Sequence, residues 1–123
     1  MSTTISGSNG IVFPDSTSMQ TGQQAVKAWV NFNGEGTVSI RAGYNVSSIS
    51  DFGTGDYGVN FTTAMVDANY AAGSLCGYDN ASNSLRYATA YSWSQTALRI
   101  NIFYTSGGDT KFDAGYVTVS IFR

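Results

Sequence analysis

Residues 27–61, "KAWVNFNGEGTVSIRAGYNVSSISDFGTGDYGVNF", decide the fold class. Val26, Ala28, Val30 and Phe32 alternate with Lys27, Trp29 and Asn31. A period of two is the mark of a half-buried strand. "NGEG" at residues 33–36 follows, with residues that tolerate positive φ, and signals a hairpin. Val38, Ile40, Ala42 and Tyr44 then alternate with Thr37, Ser39, Arg41 and Gly43. "SSISDFGTGD" reads as a loop, after which Tyr57, Val59 and Phe61 alternate with Gly58 and Asn60. The stretch predicts a three-stranded meander.

The second half has the same texture. "NYAAGSLCGY" is a weaker strand loosened by Gly73, and "DNASNS" is a turn. "LRYATAYSW" is a strand with Leu85, Tyr87, Thr89 and Tyr91 on one face. "SQTA" leads into "LRINIFYT", where Leu98, Ile100, Ile102 and Tyr104 share a face. "SGGD" is a further turn, and "YVTVSIF" closes the chain with Val117, Val119 and Ile121 inward. A short helix is conceivable only at residues 63–70. Seven or eight short strands at hairpin spacing predict an all-β domain, an antiparallel β-sandwich or jelly roll, over residues 25–123. Its expected core is Val30, Phe32, Ile40, Val59, Phe61, Ile100, Ile102, Val119 and Ile121.

Residues 1–24 differ. They are rich in Ser, Thr, Gly and Gln, and Ile11, Val12 and Phe13 alone could anchor them. Pro14 follows directly and biases Phe13 towards an extended conformation. This segment reads as an extended N-terminal arm that lies on something else, because it cannot build its own core.

A chain of 123 residues fits one domain and can bury roughly two-thirds of its unfolded surface. Charged residues make up 11%, under half the usual share of about 25%. Low charge here does not mean membrane insertion, since no apolar run approaches the ~20 residues of a spanning helix. It implies a neutral polar surface, or one largely covered by other subunits. The six basic residues are scattered and form no stripe, so nucleic acid is not an expected partner. Cys76 is the single cysteine and reads as a small, buried or half-buried residue. "MSTTISGSNG" has neither an apolar core nor a basic start, so assembly in a cytoplasm is expected. The three glycosylation sequons, at Asn45, Asn60 and Asn80, then read as accidents of composition.

Reactive groups are few. Histidine is absent, which removes the usual base of Ser and Cys nucleophiles and the commonest zinc ligand. Glu35, the single glutamate, falls in the predicted hairpin turn. Asp51, Asp56, Asp67, Asp79, Asp109 and Asp113 fall in loops or next to glycines, where aspartate caps nearby backbone. A carboxylate pair for glycoside cleavage is therefore disfavoured. "DFGTGD" could offer two carboxylates to calcium but lacks the ligand density of the known loop motif. "GEGTVSI" has glycines without the lysine and helix of a phosphate loop. No cofactor, metal or catalytic residue is expected. The eight tyrosines with Trp29 and Trp93 remain, and such rings suit cores, subunit contacts and glycan stacking alike. Trp29 shares its strand face with Lys27 and Asn31, away from the predicted core, and is an interface candidate with Ile11, Val12 and Phe13.

The run "AWVNFNGEGTVSIRAGYNVSSISDFGTGDYGVNFTTAMVDANYA" resembles a module that recurs in bacteriophage tail-fibre and related virion proteins. "GIVFPDSTSMQTG" is similar to the F-P-D-G-T segment that often leads into such modules. The resemblance covers residues 10–72, and the remainder in style only. It departs at Ser16, where glycine is usual, and at Met65-Val66, where Met-Pro is common. It implies a virion structural protein, usually a homotrimer, without specifying the part of the virion. Three readings follow in order. The first is a trimeric tail-fibre or receptor-binding module that contacts a host surface glycan. The second is a capsid decoration (cement) protein, favoured by a short chain with its own Met1 and an arm that docks on other virion proteins. The third, distant, is a polysaccharide depolymerase.

Overall fold

The computed structural model describes residues 4–7, 10–19, 25–79, 84–105 and 107–123. All regular structure among them is β-strand, and every strand pair is antiparallel. Strands β1 (Thr4–Ser6), β2 (Gly10–Val12) and β3 (Ser18–Met19) form a small sheet of their own. The described part of the arm is thus a three-stranded antiparallel meander of short extended segments.

Nine strands build the sandwich. One sheet has the order β5 (Ser39–Tyr44), β4 (Val26–Asn33), β12 (Tyr116–Phe122), β8 (Ala71–Gly77). The other runs β6 (Val46–Gly53), β7 (Asp56–Phe61), β10 (Ala97–Thr105), with β9 (Tyr87–Trp93) and β11 (Asp109–Lys111) also paired to β10. The alternation in β4, β7, β10 and β12 puts Val30, Phe32, Tyr57, Val59, Leu98, Ile100, Ile102, Val117, Val119 and Ile121 into the space between the sheets. Phe32 meets Tyr57 edge-on, with ring centroids 5.3 Å apart. The Tyr57 hydroxyl lies 2.8 Å from both the Gly34 carbonyl and the Asp113 carboxylate, so the ring is buried without an orphaned polar atom. Burial and the nearby Asp113 carboxylate push this phenol's pKa up.

Eight of the nine expected core residues are buried, and Ile40 is not. Asn31 pairs with Ala42 but Phe32 with Ile40, so Arg41 is an extra residue in β5, a one-residue bulge. The bulge reverses the alternation. Gly43 opposes inward-facing Val30, while Ala42 and Tyr44 oppose outward-facing Asn31 and Trp29. Ile40 remains 40% exposed on an edge strand whose six residues are all exposed.

The predicted meander is two hairpins in opposite sheets. Residues 47–53, read as loop, belong to β6, which pairs with β7. A second bulge follows Val46, so the two apolar residues Val46 and Ile49 both pack on the core at an irregular spacing of three. Asn45 makes the corner between β5 and β6 in a left-handed conformation, φ 55°. Its Nδ2 donates to the Lys27 carbonyl (3.0 Å) and the Thr63 carbonyl (3.1 Å). Its Oδ1 accepts from the Thr63 N–H at 2.7 Å. The Asn60 amide is likewise committed, to Ser48 and Ser50, so two of the three sequon asparagines are structural. Asn80 lies outside the described residues.

Residues 63–70 are irregular rather than helical, tied down by the Met65 N–H donating to the Gln95 carbonyl and by buried Tyr70. Leu85 precedes β9 and is exposed, whereas Tyr87, Thr89 and Tyr91 lie outward, opposite the core-facing Ala88 and Ala90. Cys76 is half-buried as expected, and burial pushes its thiol pKa up.

Replacing Asn45 tests the corner. Asn45→Ala removes three hydrogen bonds at ~0.5–1.5 kcal/mol each and leaves a strained φ, for a loss of about 2–4 kcal/mol. Asn45→Gly relieves the φ and should cost about 1 kcal/mol less. Urea unfolding midpoints of the three proteins read the order directly.

Candidate functional site

The outer face of the four-stranded sheet follows from the register. One row is Tyr44, Trp29, Ser120 and Gly73, and the next is Ala42, Asn31, Thr118 and Leu75. Phe122 stands opposite Ala71 beside them. None of these residues is charged. Leu75 is 79% exposed, Tyr44 57% and Trp29 39%. Arg41 lies across this face, flat on Tyr116 at 4.0 Å, donating to the Gly115 carbonyl at 2.6 Å and to Asn31 Oδ1 at 3.4 Å. Large exposed rings with a flat-lying arginine have the composition of an interface core.

The face runs at one end into a cleft of about 870 Å³, walled by Val26, Tyr44, Met65 and Val66. Asn45 lines it, and Lys27 and Arg123 contribute positive charge. Arg123 is held by Asp67 through two bonds of 2.9 Å, which lower that carboxyl to a pKa of about 2. The Asn45 corner therefore positions this cleft as well as the two sheets.

The opposite sheet's outer face mixes charges with the exposed rings of Phe52 and Tyr91. Asp56, 8% exposed, receives Arg99 Nε and Nη2 at 3.0 Å each, Lys111 Nζ at 3.3 Å and the Tyr91 hydroxyl at 2.8 Å. Arg99 holds the Asp56 carboxyl far below its usual range, and Tyr91 and Lys111 add to this. The Arg99 guanidinium also stacks on Phe52 at 3.8 Å. Phe52 fits because its partner row carries Gly58, where a Cβ would come within 2.9 Å of the ring. Asp56 is therefore enclosed by cations, and Asp51 caps the Gly53 N–H at 3.0 Å. Among the described residues no three acidic, Cys or His side chains group as metal ligands. A further cation, Arg86, sits against Phe112 (4.2 Å), Tyr78 (4.9 Å) and Tyr104 (5.2 Å).

Among the sequence-predicted interface residues, Trp29 faces outward as expected. Ile11, Val12 and Phe13 do not form one cluster. Ile11 aligns with Ile5 and Met19 across the small sheet, while Val12 aligns with Thr4 and Ser18 on its other face. Phe13 lies beyond β2 at the hairpin tip. There the Ser16 N–H donates to the Phe13 carbonyl (3.0 Å), Pro14 follows Phe13, and Ser16 has φ 70°. That is a tight hairpin turn ending in a left-handed residue, the position where glycine is favoured. The sequence reading missed Tyr44, whose face the Arg41 bulge reverses. It also missed Phe122, although inward Ile121 implies an outward neighbour. Nothing local could pair Asp56 with Arg99, which lie on different strands far apart in sequence.

Comparison with protein-family models, with characterised proteins and with solved structures finds no match.

Asp56 should make stability pH-dependent. Its folded pKa is depressed, so its contribution is present above the unfolded value of about 3.9 and is lost progressively as pH falls below that value towards the folded one. Thermal melts from pH 7 to pH 3 should show a falling midpoint in the native protein. Asp56→Asn should start lower and fall less, because its share of the acid sensitivity is gone.

Proposed function

We propose that this chain is a non-enzymatic structural module of a bacteriophage virion, a homotrimeric tail-fibre or receptor-binding domain that presents one surface to the host. The observation that carries this reading is the set of large exposed side chains on one outer face. The face bearing Trp29, Tyr44, Leu75 and Phe122 combines these with Arg41 laid flat on Tyr116, residue types that subunit contacts favour. The other face carries serines, asparagines and ion pairs beside the exposed Phe52 and Tyr91 rings, groups that suit a polar glycan. The resemblance of residues 10–72 sets the expected number of subunits at three. The engagement of Asp56 and Asp67 in ion pairs and of Asp51 and Asp113 in backbone caps supports a role without acid–base chemistry. The capping of Arg41, Arg86 and Arg99 by aromatic rings supports a partner other than nucleic acid.

Capsid decoration is the second reading. The ordered hairpin of the arm favours it, since a compact projecting element suits docking on a neighbouring shell protein.

Sedimentation at micromolar concentration should give a trimer, and Trp29→Glu should weaken association at least tenfold by placing a charge in the contact. A native monomer overturns the trimer. Binding of labelled protein to host cells rather than to emptied capsids separates the fibre reading from the decoration reading.

A further inference from the structure

Two surfaces of this chain lack an apolar partner of their own, and their chemistry is complementary. The first is the tip of the β2–β3 hairpin. Phe13, Pro14 and Asp15 are exposed there, and Phe13 keeps 36% of its surface in solvent. The tip is rigid. The Phe13 N–H donates to the Thr17 carbonyl (2.8 Å), and the Ser16 N–H donates back to the Phe13 carbonyl. Asp15 Oδ1 accepts from the Thr17 N–H (3.0 Å) and hydroxyl (2.6 Å). Asp15 is also the single charged residue within residues 1–24. The second surface is the end cleft, with walls from Val26, Tyr44 and Met65 and a positive charge from Lys27. No acidic residue lines it.

We propose that the Phe13–Pro14–Asp15 tip of one copy seats in the end cleft of a neighbouring copy, with the Phe13 ring against Tyr44 and Met65 and the Asp15 carboxylate towards Lys27. The proposal rests on the oligomeric reading above and names the contact that links successive subunits. Three arguments commit the cleft to a second copy. The arm's one negative charge matches the cleft's positive lining, and opposite charges within reach steer and register an encounter. The cleft is continuous, through Tyr44 and Val26, with the sheet face proposed as the subunit contact. The tip is held by its own hydrogen bonds before it binds, so little ordering cost opposes the docking of one aromatic side chain. The small sheet gains as well. Strands of two and three residues are marginal alone, and Ile5 on their apolar row is 83% exposed. Docking the tip against a neighbour supplies the packing that such a sheet lacks.

Disulfide trapping tests the seat. Pro14→Cys and Val66→Cys are introduced together in a Cys76→Ser background, which leaves Phe13, Asp15 and Lys27 intact. Mild oxidation should give covalent multimers on a denaturing gel, and each single-cysteine control should not. Asp15→Lys should reduce trapping at least tenfold, and adding Lys27→Glu to it should restore most of the yield. Trapping confined to single chains overturns the proposal, because the arm then closes on its own cleft. A trimer by sedimentation that shows no trapping also overturns it while leaving the oligomer in place. A monomer by sedimentation overturns both readings together.

Discussion

At Asn45 the chain leaves one sheet for the other within a single residue. An L-residue at φ 55° is disfavoured unless its side chain compensates, and Asn is among the few that can. Here the carboxamide binds Lys27 at the start of β4 and Thr63 just after β7. It therefore ties together the first strand of one sheet and the exit from the second strand of the other. Both hairpins, and the facing of Phe32 on Tyr57 between them, depend on that corner. Any residue that let β5 run on into β6 in one plane would make the meander that the alternation alone suggests, with Val46 and Ile49 turned away from the core they help to fill.

The buried Tyr57 hydroxyl points between two acceptors, the Gly34 carbonyl and the Asp113 carboxylate, and Asp113 in turn accepts the Gly55 N–H at 2.8 Å. Gly55 is obligatory there, since at φ 60° a Cβ would come within 2.6 Å of the Ile102 carbonyl and the Phe112 amide. The charge cluster on the outer face is also self-contained, because Asp56 gathers Arg99, Lys111 and Tyr91 around one carboxylate. Trp29, Tyr44, Leu75 and Phe122 and the adjoining cleft are apolar surface that the other sheet leaves uncovered. Arg41 lies across Tyr116 in that same sheet, and Asp56, Arg99 and Lys111 gather in the opposite one.

Much of the fold was legible because the core-facing apolar residues of the central strands keep a period of two. Ala28, Val30 and Phe32 in β4, Tyr57, Val59 and Phe61 in β7, and their counterparts in β10 and β12 are buried, and eight of nine expected core positions follow. Legibility failed where a bulge breaks the period. Arg41 reverses β5, which hid the outward Tyr44, and Ile40 is exposed because β5 is an edge strand. The bulge after Val46 and a Ser, Asp and Gly composition disguised β6 as a loop. Of the candidate site, Trp29 could be read from its strand face, whereas the cleft could not. Its lining comes from residues 25–27, 44–45, 62–66 and 123, brought together by the corner and the crossover rather than by any local pattern. Ser16 shows the reverse case. Its departure from the glycine of similar segments gains a physical meaning once its left-handed backbone is seen.

The central claim is that the face bearing Trp29 is covered in the assembled protein while the other side stays open. The two tryptophans make this measurable, since Trp29 lies on that face and Trp93 at the end of β9. In Trp93→Phe, the emission of Trp29 should shift to shorter wavelength and resist acrylamide quenching as protein concentration rises through the association range. In Trp29→Phe, Trp93 should stay equally quenchable throughout. Protection of Trp93 with an unchanged Trp29 would contradict the account and assign the contact to the end of the sandwich at β9.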